Sequence, residues 1–162
     1  MSRIKKSDLI ESIIAALQNS LAALEKAARA AHEEATHESS KAENKYDTRG
    51  LEAAYLAGGQ ARQARDIAES IKMYRSLPIK EFGSADPVDL SALVALETGR
   101  VIENYFIGPC GGGLEIQCQG VEIMVITSQS PLGQQLMGKK AGQRWTSNFH
   151  DSQTGYRIIS VS

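Results

Sequence analysis

The sequence predicts an α+β protein in two parts. An N-terminal antiparallel α-helical coiled-coil hairpin precedes a small sheet domain with one helix. Three observations carry this. Apolar residues recur at three- and four-residue steps over residues 7–39 and again over 47–77. From Ala92 onward the period falls toward two, and glycine-containing turns separate short apolar runs. Within that β-rich part, only residues 130–142 return to helical spacing.

In the first helix, Ser7 is the expected N-cap, with Asp8 in the first turn and Ile10 at N3, so there is no capping box. Leu9, Ile13, Leu17, Leu21, Leu24, Ala28, Ala31 and Ala35 form a narrow seam, with alanines taking over toward the far end. The second helix supplies Leu51, Ala54, Ala61, Ala64, Ile67, Ala68, Ile71 and Tyr74, and Pro78 closes it. Gly58-Gly59 inside it costs on the order of 1 kcal/mol per glycine relative to alanine, and reads as close helix contact or a local bend. Each arm is about 45 Å long at about 1.5 Å per residue. The polar run 38–47 then falls at the tip, far from any core, where side chains are free for function.

Residues 1–78 are thus the hairpin, 79–91 a permissive linker with Gly83, Pro87 and two aspartates, and 92–162 the sheet domain. Strands are expected over 92–97 and 101–107 around Thr98-Gly99-Arg100. Two more run over 114–118 and 121–127 around Gln119-Gly120, and the last two over 145–149 and 156–161 around a turn at 150–155.

Lysine plus arginine number 18 against 19 acidic residues, a net charge of −1. There is no global basic field of the kind duplex binders use, so direct duplex DNA binding is not expected. No stretch is apolar enough to span a bilayer, and the start of the chain does not resemble a signal peptide. The two cysteines, Cys110 and Cys118, have neither metal-type nor C-x-x-C spacing and read as reduced thiols in a cytoplasmic protein.

Three motifs look chemical and are better read as structure. Residues 133–139 match most of a P-loop, but position 140 is Lys rather than Ser or Thr, and the intervening residues are bulky and helical. His32 and His37 are five apart, about 140° round a helix, where a zincin needs four. Gly111-Gly112-Gly113 lacks the strand-to-helix context of a dinucleotide site and reads as a turn.

The segment Ser130-Pro131-Leu132-Gly133-Gln134-Gln135-Leu136-Met137-Gly138-Lys139-Lys140-Ala141-Gly142 is the most specific in the chain. Pro131 suits a first helical turn, Leu132, Leu136 and Met137 mark one apolar face, and Gly138 ends the helix. Ser-Pro-Leu-Gly followed by Gly-Lys-Lys-x-Gly resembles the C-terminal domain of the bacterial transcript cleavage factors GreA and GreB, and the helices before it also fit that family.

The resemblance implies an FKBP-like domain, a curled antiparallel sheet with one helix, that grips RNA polymerase through the turn Gln129, Ser130 and Pro131. It implies a hairpin that enters the polymerase secondary channel and modulates elongation or transcript cleavage. Two tip carboxylates would help hold the second catalytic Mg²⁺ of the polymerase. The protein would have no catalytic residues, stable metal site or cofactor of its own, and could touch nascent RNA indirectly.

In the family's Asp-x-x-Glu-Asn pattern, Glu43-Asn44 with Tyr46 matches the second half, while Ser40 stands where the first Asp falls. Glu38 or Asp47 could substitute, and a rival alignment uses Asp47 and Glu52 with Tyr55. Besides a coiled-coil adaptor with no polymerase link, two alternatives stay open. One is a channel regulator that inhibits without stimulating cleavage. The other is an FKBP-like peptidyl-prolyl isomerase, whose aromatic pocket would have to come from Tyr105, Phe106, Trp145, Phe149 and Tyr156.

Overall fold

The structure, a computed structural model, describes residues 3–36, 49–149 and 152–162. The chain forms α1 (Lys6–Thr36), α2 (Arg49–Arg75), β1 (Leu93–Thr98), β2 (Val101–Gly108), β3 (Glu115–Cys118), β4 (Val121–Thr127), α3 (Pro131–Leu136), β5 (Arg144–Phe149) and β6 (Ser152–Val161). It divides into two compact units, Met1–Ile13 with Met73–Ser162, and Ile14–Lys72. The division therefore falls inside the two long helices rather than at Pro78.

The unit Ile14–Lys72 is the paired arms. Leu17, Ala64 and Ile71 are its buried apolar side chains among the described residues. Further along, Leu21, Leu24, Ala28 and Ala31 are half-buried and Ala61 is exposed. Alanine side chains are too short to fill the seam, and a groove of about 430 Å³ lined by Leu21, Ala28, Ala61, Ala64 and Ala68 remains. Gly58 and Gly59 are exposed, and a Cβ added at either meets nothing within 4 Å, so neither serves close helix contact. The helix runs through both.

In the other unit, α1 begins at Lys6 rather than after Ser7. Leu9 N–H donates to Lys5 O at 3.1 Å, and the Ser7 hydroxyl turns to Asp8 Oδ1 at 3.2 Å. Ser7 therefore lies in the first turn instead of capping it.

The sheet has six strands in the order β3-β4-β2-β1-β6-β5. It is mixed, not purely antiparallel: β2 and β4 run parallel, with Asn104 opposite Ile123 and Gly108 opposite Thr127. The β3–β4 hairpin causes this. Its two-residue turn, Gln119 (φ 52°) and Gly120 (φ 78°), reverses the chain so that β4 returns alongside β2 with β3 outside it. Residues 152–155, expected in a turn, extend β6 and pair with Phe149 to Thr146.

One sheet face carries Val94, Leu96, Tyr105, Ile107, Ile126, Ile158 and Val161, packed with Leu136 of α3 and with Phe82 and Val88. On the opposite face, Tyr74 from the end of α2 lies against Gly108, where a Cβ would collide with its ring oxygen and crowd Val125. Its hydroxyl donates to Cys110 O at 2.6 Å, and burial pushes the Tyr74 pKa well above the usual tyrosine range.

Residues 79–91, expected as a permissive linker, are tied to the sheet domain. Phe82, Val88 and Ser91 are buried. Val88 N–H donates to Lys139 O (2.7 Å) and its carbonyl accepts from Gly138 N–H (2.9 Å). Ser91 sits at φ 68°, and its hydroxyl oxygen accepts from Lys80 N–H at 3.0 Å. Lys6 reaches in from α1: its ammonium donates to Lys80 O (2.5 Å) and stands 4.4 Å from the Phe82 ring centroid.

Candidate functional site

The turn between β4 and α3 holds together by a two-way cap on Ser130. Its Oγ donates to Thr127 O (2.8 Å) and accepts from Gly133 N–H (3.0 Å). The backbone closes the same turn, with Ser130 N–H on Thr127 O (3.1 Å) and Gln134 N–H on Ser130 O (2.9 Å). Ser130 has the extended φ/ψ of an N-cap (−66°, 153°) and Pro131 occupies the first helical turn. Helix α3 runs only to Leu136, shorter than the 130–142 segment, because Gly138 adopts φ 80° and stops it.

Gly133 is fixed by close approach: a Cβ there would overlap the Thr127 carbonyl. The P-loop-like spacing 133–139 is therefore a helical turn packed on a strand end. Its backbone groups are occupied, with Met137 N–H on Gly133 O at 3.0 Å.

The structure brings Gln129, Ser130 and Pro131 into one turn. Gln129 and Pro131 are exposed, while Ser130 is half-buried and its hydroxyl is committed to the cap. Gln134 adds a neighbour that the sequence reading missed, its Nε2 donating to Gln129 O at 3.2 Å. Its position five residues after Gln129 is the only sequence signal for it. The surface that a partner can read here is uncharged amide and proline. No acidic residue lies in the first turn of α3.

On the far side of α3, Gln135 bridges to β5, accepting from Trp145 Nε1–H (2.8 Å) and donating to Ser147 Oγ (3.0 Å). Trp145 stacks on Tyr156 with centroids 5.3 Å apart, and the Lys139 ammonium lies 5.2 Å from the Trp145 ring centroid. Tyr105 and Phe106 point to opposite sheet faces as successive strand residues, both at most 9 % exposed. Phe106 thus faces away from the other three, since Tyr105, Trp145 and Tyr156 share the α3 side of the sheet, and the side chain of Phe149 lies outside the described residues.

Glu38, Glu43 and Asp47, with Ser40 and His37, also lie outside the described residues. His32 is exposed on α1, and among the described residues no three His, Cys, Asp or Glu side chains gather as a metal site. Cys110 is half-buried and Cys118 buried, and neither is disulfide-bonded. No described helix is long and apolar enough to cross a membrane.

Fold and site define a class: a two-helix hairpin protein whose mixed-sheet domain presents a serine-capped, proline-led turn. No protein-family model matches the chain, and no curated protein does. Three solved structures are similar to it. GreA factor homolog 1 (Gfh1) of Thermus thermophilus is 20% identical over 92% of this chain and 94% of its own, with a TM-score of 0.39. A second structure of the transcription factor Gfh1 is 21% identical over 99% of both chains, TM-score 0.39. Thermus aquaticus Gfh1 is 22% identical over 98% of this chain and 96% of its own, TM-score 0.40.

Proposed function

We propose that this chain is a Gre-type transcription elongation factor. In this reading it binds bacterial RNA polymerase, inserts its hairpin into the secondary channel, and modulates elongation or transcript cleavage. The observation that carries the reading is the pairing, in one chain and in this order, of the long α1–α2 hairpin with a sheet domain whose helix is led by a Ser130-Pro131-Leu132-Gly133 cap. The sheet domain, FKBP-like in this reading, grips the rim of the channel through Gln129, Ser130 and Pro131.

The mechanism follows from ligand chemistry. Mg²⁺ takes hard oxygen ligands and is commonly held by one or two carboxylates together with phosphate oxygens and water. A tip carboxylate delivered beside the polymerase's catalytic metal would help hold a second Mg²⁺, and the chemistry such a metal would supply there is activation of water and stabilisation of the leaving oxygen. Glu43, with Asp47 or Glu38, supplies those oxygens. The chain is then no enzyme by itself, holds no cofactor of its own, meets nascent RNA only through the polymerase, and works in the cytoplasm.

One feature favours a second reading, a channel regulator that inhibits without cleavage: Ser40 stands where the family pattern carries its first Asp. Transcript shortening by backtracked core polymerase separates the two. A cleavage factor accelerates Mg²⁺-dependent shortening, and Glu43→Ala with Asp47→Ala abolishes the acceleration. An inhibitor slows shortening or extension while bound. Acceleration that survives both substitutions would overturn the tip assignment.

A further inference from the structure

The sheet face opposite α3 carries a groove over β1, β2, β4 and β6, apolar in the middle, with arginines of β5 and β6 beyond one margin. A groove of about 890 Å³ on this face is lined by Leu93, Ala95, Ile102, Val121 and Ile159, with Arg3 at its border. Ile102 is 55% exposed and Ile159 39%.

The exposure of Ile159 is built into the strand. β6 carries a bulge where Ala95 pairs with Ser160 but Leu96 pairs with Ile158, leaving Ile159 with no opposite residue. The bulge lets Ile158 and Val161 both enter the core while Ile159 and Ser160 both line the open groove. An unbulged strand would alternate and put no such pair outside.

Along the same face, β1 and β6 lead from the groove to a second cleft of about 570 Å³ containing Glu97, Arg144 and Arg157. Arg144 stands directly opposite Arg157 in the β5–β6 register, an unfavourable cross-strand pairing of like charges. Glu97 offsets it weakly, 3.8 Å from Arg157 Nη1. Arg157 Nε is buried with no hydrogen-bond partner among the described residues. Arg3 is already paired with Glu81 at 2.8 Å, so the charge open to a partner is the opposed Arg144–Arg157 pair beside the apolar stripe, whose unsatisfied donor and like charges both call for an acceptor anion.

We propose that this face is the docking surface for an acidic amphipathic helix of a partner protein. A sheet face is ordinarily buried against another element, as α3 covers the other side. From β2 across to β5 is three strand spacings, about 14 Å, which about three helical turns span. Apolar residues on one helix face fill the groove, and glutamates or aspartates along its flank meet Arg144 and Arg157. The surface lies on the opposite side of the sheet from the Ser130 turn and does not depend on polymerase binding.

The test uses the full chain and synthetic helical peptides of about three to four turns with leucine on one face. One carries glutamate on its other face, and its counterpart carries lysine. Fluorescence anisotropy gives affinity, and amide chemical shifts give location. The glutamate peptide should bind and move the amides of Ala95, Ile102 and Ile159, with the lysine peptide at least about tenfold weaker. Replacing exposed Ile102 and Ile159 by Ser should remove binding, and R144E with R157E should reverse the preference. Equal binding of both peptides, shifts confined to other surfaces, or self-association of the chain through Ile102 and Ile159 would each overturn the proposal.

Discussion

Ser130 shows how far a single residue can be read. Its place before Pro131 announced an N-cap, because capping is local chemistry, and the hydroxyl does accept from Gly133 N–H. Its second bond, to Thr127 O, and the demand it helps place on Gly133 depend on a strand end brought up by the fold. Local sequence carries no trace of that. Ser130→Ala should cost about 1 kcal/mol in urea unfolding, the usual value of an N-cap. Gly133→Ala should cost more, since its Cβ displaces the Thr127 carbonyl from the cap. If Gly133→Ala proves milder than Ser130→Ala, the close packing of α3 on β4 is wrong. Ser7 is the contrary case: the residue type suited a cap, but the helix starts at Lys6, so the same chemistry lies one step inside the turn.

At the scale of elements, helices and hairpin turns were legible and pairing was not. Gln119-Gly120 was readable because two positive φ values suit a tight hairpin. The parallel β2–β4 pair and the β6 bulge were not, because strand register is a non-local choice. Residues 79–91 misled through Gly83 and Pro87. The informative residues were Phe82 and Val88, two apolar side chains in a polar stretch that turn out to anchor it.

Lys6 belongs to that anchoring, and burial pushes its ammonium down to about 8 from 10.5, with Glu81 opposing and Arg3 and Lys80 reinforcing. Between those two pH values the unfolded chain binds more protons, so this contribution to stability rises with pH across the window. Below about 8 both states hold the proton and the contribution is flat. Subtracting the pH–stability curve of Lys6→Met from that of the wild type should show a rise from pH 8 toward 10.5. A falling difference would contradict the buried placement of the ammonium. The wild-type curve alone is less direct, because the raised pKa of Tyr74 and Tyr105 makes their contribution fall as pH climbs above 10.

At the scale of the whole molecule, the chain divides into two compact units whose boundary falls inside the long helices. The first 13 residues and those from Met73 on belong with the sheet, and Leu9, Ile13 and Tyr74 are among the buried side chains of that unit. The seam then thins to alanine, which accounts for arms that are long yet weakly filled. The central claim is that the chain binds RNA polymerase, and the most direct test is its dissociation constant for core polymerase. The account predicts saturable binding that weakens by roughly tenfold when Gln129 and Pro131 are both replaced by alanine, a loss of about 1.4 kcal/mol. No saturable binding, or binding indifferent to that turn, would contradict it.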